Sequence, residues 1–209
     1  MPTVPLPAAL GPILEFLDLA GIAVFALSGA LLAAVKKQTL VTFLFFAVVT
    51  GVGGGTVRDL LIGAPVFWVH HNSTLLICLG AGLAVWLTPA RLWHGRTLLW
   101  LDAIGLAGFA TFGAAKALAF GIAPLPAFAM GVLTGCFGGI IRDVLADEPS
   151  ILLRPELYVT AAGLSAALYV GLAQGGIEGG LAALVAALAG FAVRGLAILR
   201  GWALPAYRR

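Results

Sequence analysis

Long uncharged apolar stretches recur along this chain, and few folds accept them. Leu40–Val52 and Leu181–Val193, for instance, contain no charged residue. About 20 apolar residues span the hydrocarbon core as a helix. Seven such segments can be marked, over 14–35, 39–62, 73–90, 97–119, 124–146, 157–174 and 179–199. Pro89, Pro124, Pro126, Pro149 and Pro155 fall at segment ends, where a missing N–H costs little. Trp68, Trp86, Trp93, Trp100 and Trp202 gather near the same ends, as an interfacial belt does. Of 209 residues only 10% are charged and 61% are hydrophobic, whereas a soluble domain carries about 25% charged residues. Nine acids and twelve bases cannot give this chain a polar surface. Soluble enzymes, nucleic-acid binders and disordered chains are thereby excluded, and the uninterrupted runs lack the alternating polarity of a membrane barrel. The expected class is an all-α integral membrane protein.

Bases set the expected orientation. With the N-terminus outside, the inner connections and C-terminal segment hold Lys36, Lys37, Arg91, Arg96, Arg154, Arg200, Arg208 and Arg209, and the outer connections hold none. Positive charge retained inside predicts an outer N-terminus and a cytoplasmic C-terminus. Cys78 and Cys136 lie within apolar runs and read as small fillers. His70-His71 has no Cys, Asp or Glu at ligand spacing and reads as interfacial, so no metal or other cofactor is expected.

Shifted by 84 residues, the chain matches itself. Asp18 falls on Asp102, Gly21 on Gly105, Phe25 on Phe109, Thr50-Gly51 on Thr134-Gly135, Gly54-Gly55 on Gly138-Gly139, and Arg58-Asp59 on Arg142-Asp143. From Asp18 to Pro65, 17 of 48 positions are identical without a gap. Each copy contains three spans, so the second enters the membrane inverted. The division expected is 1–95, 96–176 and 177–209: two inverted three-helix repeats, then a seventh helix with a basic tail.

The second helix of each repeat carries the chemistry. It reads Thr50-Gly51-Val52-Gly53-Gly54-Gly55-Thr56-Val57-Arg58-Asp59 in the first copy and Thr134-Gly135-Cys136-Phe137-Gly138-Gly139-Ile140-Ile141-Arg142-Asp143 in the second. Consecutive glycines weaken a helix by about 1 kcal/mol each relative to Ala. An interruption there would expose carbonyls to water or a cation. The same glycines, at small-xxx-small spacing, also suit close helix packing. Adjacent residues on a helix point about 100° apart, so the inverted symmetry predicts cross-pairs, Arg58 with Asp143 and Arg142 with Asp59. Those ions serve either a structural network or permeation. Asp18 and Asp102 open the first helix of each repeat, where the dipole favours a carboxylate. Lys116 is either a snorkelling lysine or a voltage sensor. Arg91, Arg96 and Arg154 form an inner basic rim for anionic headgroups or for topology alone.

With these paired Gly-Gly-x-x-Arg-Asp motifs the sequence resembles the prokaryotic trimeric intracellular cation (TRIC) channels, a family also catalogued under a "glycine transporter" domain label. The resemblance covers nearly the whole chain, with Phe137 departing from Gly53. It implies a homotrimer in a membrane, with one pore per protomer beside kinked second and fifth helices. Potassium would be the main ion carried, with sodium a second. The expected pathway residues are Thr50, Gly53, Gly54, Gly55, Arg58, Asp59, Thr134, Gly138, Gly139, Arg142 and Asp143. The expected location is the bacterial inner membrane, with lipids as partners and no nucleic acid. A secondary transporter of a small solute such as glycine is the alternative, and a non-conducting scaffold would leave the intramembrane charges unexplained. No nucleophile–base set and no phosphate-binding Gly-Lys-Ser/Thr loop is present, so no enzyme activity is expected.

Overall fold

The computed structural model describes residues 11–89, 92–93 and 96–205. Seven helices cover most of them: α1 Pro12–Val35, α2 Leu40–Leu61, α3 Asn72–Leu87, α4 Thr97–Ala119, α5 Pro124–Leu145, α6 Val159–Gln174 and α7 Gly179–Arg200. Five are long and apolar enough to cross a membrane. The other two, α3 and α6, have 16 residues each, about 24 Å of helix, and occupy the same place in each repeat. Local chemistry sets the ends. Proline occupies the first turn of α1 and α5, where its fixed φ suits the helix. The Glu178 carboxylate accepts the Gly180 and Leu181 N–H groups at the start of α7, and Gly201 closes that helix at φ 66°.

The backbone repeats even where side chains do not. Lys37 and Gly121, 84 residues apart, both adopt positive φ after the first helix of their repeat, and Gly63 and Asp147 do so after the second. Contacts between the repeats are reciprocal. Gly21 packs on the Phe109 ring and Gly105 on the Phe25 ring; the two rings lie 5.2 Å apart between centroids. Gly54 faces the Thr134 carbonyl, and Gly138 faces the Thr50 carbonyl. Such reciprocity is what a twofold axis between inverted repeats produces. The axis passes through the α1–α4 and α2–α5 contacts, while α7 packs outside both repeats against α4 and α6. Alanine dominates the interior of that α4–α6–α7 region, which lets the helices approach closely. Large apolar side chains such as Phe16, Val41, Leu76, Leu125 and Leu188 face outward.

The glycine runs do not interrupt their helices. Helical hydrogen bonding continues from Leu40 to Leu61 and from Pro124 to Leu145. An unpaired peptide group in hydrocarbon costs several kcal/mol, more than glycine's propensity deficit of about 1 kcal/mol. A Cβ on Gly138 would sit 2.7 Å from the Thr50 carbonyl oxygen, whereas one on Gly80 would meet nothing within 4 Å. We therefore expect Gly138→Ala to lower stability by about 1–3 kcal/mol through overpacking and Gly80→Ala to leave it unchanged or raised. Thermal unfolding in mild detergent compares the two; equal effects would contradict the contact.

Candidate functional site

Both Arg-Asp pairs lie in the last turn of their helices, and each arginine binds the aspartate beside it. Arg58 Nε donates to Asp59 Oδ1 at 2.8 Å, and the Phe67 N–H donates to Asp59 Oδ2 at 3.1 Å. Arg142 Nε and Nη2 donate to Asp143 Oδ1 at 2.9 and 2.8 Å, and the Ile151 N–H donates to Asp143 Oδ2 at 3.0 Å. Each aspartate thus ties the end of its helix to the loop that follows, at matching positions of the repeat. The expected cross-pairs, Arg58 with Asp143 and Arg142 with Asp59, do not form. The Gly54–Thr134 and Gly138–Thr50 contacts set α2 and α5 antiparallel, so Arg58 stands opposite residue 130, twelve residues short of Arg142. Twelve helical residues span about 18 Å. The 100° between neighbouring side chains is bridged by the length of the arginine.

Other partners make the two clusters differ. Lys116, near the end of α4, donates to Asp59 Oδ2 at 3.0 Å. The Arg58 guanidinium carbon lies 5.1 Å from the centroid of the Phe112 ring and 5.9 Å from that of Phe67. In the second cluster Arg142 Nη1 donates to Asp102 Oδ1 at 2.8 Å and to Ser28 Oγ at 3.1 Å. Ser28 and Phe112 are repeat equivalents, as are Leu32 and Lys116. Among the hydrogen-bonded groups the first cluster therefore sets two cations against one carboxylate, with Asp18 close enough to feel Arg58 and Lys116, and the second sets one cation against two. Asp102 is six residues into α4 and bound to Arg142, so its role is this ion pair and not that of a first-turn dipole partner. Its one signal among the residues is its repetition as Asp18.

Each cluster borders a cavity. One of about 280 Å³ is lined by Phe67, His70, His71 and Lys116. The other, of about 360 Å³, is lined by Leu32, Asp102, Arg142, Asp143, Glu148 and Arg154, among others. Lys116 and Asp102 lie fourteen residues apart on α4, about 21 Å along its axis, so the cavities occupy opposite ends of the bundle. Between them the glycines and threonines lie at helix crossings. Thr50 packs against Gly29, and Thr134 against Gly113. A Cβ on Gly55 would strike the Phe67 ring, one on Gly139 the Tyr158 hydroxyl, and one on Gly53 only the tip of Ile141. At the larger cavity Lys36 bonds Glu148 at 2.6 Å, joining one repeat to the other. Arg154 is exposed there, and Arg96 donates to the Ile198 carbonyl at 2.8 Å. Arg91 lies outside the described residues. Sequence reading also missed Arg194 on α7, 1% exposed and paired with Glu156 at 2.6 Å.

A family model described as "Glycine transporter" matches residues 15–90 and 99–174. A UPF0126 inner membrane protein of Escherichia coli, YadS, is 45% identical over 152 residues, covering 70% of this chain and 72% of that protein. A UPF0126 membrane protein of Vibrio cholerae is 44% identical over 155 residues, 71% of this chain and 64% of that one. The solved TRIC trimeric intracellular cation channel orthologue from Rhodobacter sphaeroides superposes with a TM-score of 0.85 at 42% identity, covering 92% of this chain and all of that one. The chain belongs to the TRIC family. Within this TRIC-family chain the two matched segments begin 84 residues apart, the offset at which the sequence repeats and the contacts reciprocate.

Two predictions follow from the ion pairs. Asp59→Ala would strand Arg58 and Lys116 together, whereas Lys116→Met leaves Asp59 bound to Arg58 and Phe67. Breaking a buried pair costs about 3–5 kcal/mol, so Asp59→Ala should destabilise far more than Lys116→Met. The double variant should lose less than the sum; additive losses in unfolding midpoint would contradict the pairing. At the loop, the Lys36 ammonium hydrogen-bonded to Glu148 holds that carboxyl below its ordinary range. A depressed carboxyl adds stability above its unfolded pKa of about 4.3 and loses it as pH falls through the lower folded value. The gap in melting temperature between the native chain and Glu148→Gln should therefore be full at neutral pH and vanish in acid.

Proposed function

We propose that the chain is a cation channel, carrying monovalent cations and chiefly potassium through a path within each protomer of a homotrimer. The observation that carries this reading is the superposition on the Rhodobacter sphaeroides cation channel over that channel's full length. Two cavities at opposite ends of one bundle support it, with the proposed route running between them past the α2–α5 crossing at Thr50, Gly53, Gly54, Gly55, Thr134, Gly138 and Gly139. Asp102, Asp143 and Glu148 line the larger cavity with Arg142 and Arg154, and three carboxylates against two guanidinium groups favour a cation over an anion. At the other end the Lys116–Asp59 pair stands at the cavity wall, and a cation entering there is repelled until that ammonium moves. Conduction requires the crossing to loosen, and close glycine packing without interlocking side chains lowers the cost of such sliding.

In this reading the host is the bacterial inner membrane, with the N-terminus outside. The larger cavity then opens to the cytoplasm, beside the rim of Arg96 and Arg154 that would hold anionic headgroups. Lys116 is the proposed voltage sensor, since a full charge crossing the field is worth about 2.3 kcal/mol per 100 mV.

Purified protein in a planar bilayer should give discrete unitary potassium currents, and cross-linking in mild detergent should give three copies. Saturable glycine uptake without unitary steps would favour a carrier instead. Gly53→Ala adds a methyl group that meets only the flexible end of Ile141, at 2.9 Å. It should lower unitary current while leaving trimer yield intact, and Lys116→Met should flatten the dependence of opening on voltage. Unchanged conductance and gating in well-assembled variants would remove these residues from the pathway.

A further inference from the structure

Two histidines outside both ion clusters stand at the Lys116 end of the bundle. His70 and His71 line the cavity of about 280 Å³ with Pro65, Val66, Phe67 and Lys116. Both are exposed, so solvent reaches them. The loop that carries them is pinned to α2 at two adjacent residues. The Phe67 N–H donates to Asp59 Oδ2 at 3.1 Å, and the Trp68 indole N–H donates to Thr56 Oγ1 at 2.9 Å. Lys116 Nζ donates to the same Asp59 Oδ2 at 3.0 Å. The histidine loop and the ammonium therefore share one anchor.

The two cavities use equivalent positions of the repeat. Phe67 and Ile151, each donating its N–H to the aspartate eight residues back, line one cavity each. Lys116 and Leu32 do the same. Three residues beyond Phe67 and Ile151 stand His70 and Arg154, and each again lines its own cavity. The larger cavity thus carries a permanent cation where the smaller one carries a side chain that gains its charge only between about pH 8 and pH 5.

The surroundings of that charge differ as well. Asp102, Asp143 and Glu148 line the larger cavity, whereas no carboxylate is among the described residues lining the smaller one. Lys116 of α4 shares the wall with the imidazoles. Asp59 of α2 is already bound by Lys116, Arg58 and the loop, and Asp18 of α1 is close enough to feel Arg58 and Lys116. Glu15 in the first turn of α1 and Glu178 at the head of α7 share this end of the bundle but not the cavity wall. Helix α3 brings no charged side chain. Each proton taken up by an imidazole therefore adds positive charge beside Lys116 with no carboxylate at the wall to offset it. Like charge in a cleft with low-dielectric walls repels an entering cation.

We propose that His70, assisted by His71, is a proton-sensing site at the mouth of the smaller cavity: protonated, it opposes the entry of cations, and neutral, it admits them. Its effect on current rests on the channel reading above.

Single-channel recording with potassium on both sides of a planar bilayer tests this, acidifying one side at a time from about pH 8 to about pH 5.5. Acid on the side that the smaller cavity faces should cut unitary potassium current several-fold, and acid on the other side should not. The double variant His70→Gln, His71→Gln should carry the same current at both pH values. His70→Arg, which installs the fixed charge that Arg154 supplies at the other end, should hold the current low at both. Current insensitive to acid on either side, or an acid block that survives the double substitution, would overturn the sensor and leave the channel reading standing. No cation current at any pH would overturn both.

Discussion

Contact between the backbones of α2 and α5, through Gly54 on the Thr134 carbonyl and Gly138 on the Thr50 carbonyl, is the constraint on which the rest of the protein depends. It fixes the two helices antiparallel and in one register. That register carries Arg58 and Arg142 to opposite ends of the bundle, so each must find counter-charges locally. In hydrocarbon the peptide groups of both helices must stay paired within the helix, so the glycines act by removing side-chain bulk. The same requirement accounts for an unbroken helix through three consecutive glycines.

The charged clusters follow from that separation. Each aspartate accepts from its neighbouring arginine and from a loop N–H eight residues on, so each repeat closes its own helix end. What is left over differs between the copies. Lys116 stands where the first repeat has Leu32 and gives the first cluster an extra cation, whereas Asp18 and Asp102 are the same residue and, of the two, only Asp102 hydrogen-bonds an arginine. Two ends built on one plan thereby differ in which ions are paired, and a cation meets different surroundings at each. Charge asymmetry on a symmetric frame needs no difference in fold, because side-chain identity at equivalent positions is free to vary while backbone contact is not.

Much of this was legible in the residues. The seven helices, the offset of 84 and the inversion follow from the length of the apolar runs and the odd number of spans per copy, and the bounds of α1, α4 and α7 lie close to those the runs predict. Spacing cannot say how far along a partner helix a residue will fall. Cross-pairs between Arg58 and Asp143 were therefore reasonable on symmetry and wrong on register. Asp102 looked like an ordinary first-turn carboxylate, because its link to Arg142 joins residues forty apart whose meeting depends on how α4 lies on α5.

The sequence by itself determined that the chain spans a membrane as two inverted three-helix units, since apolar length and repetition are properties of the chain. Only the tertiary structure decided which charges meet and where cavities open. Those depend on distances set by backbone-to-backbone packing, where a shift of one helical turn, about 5.4 Å, changes every partner.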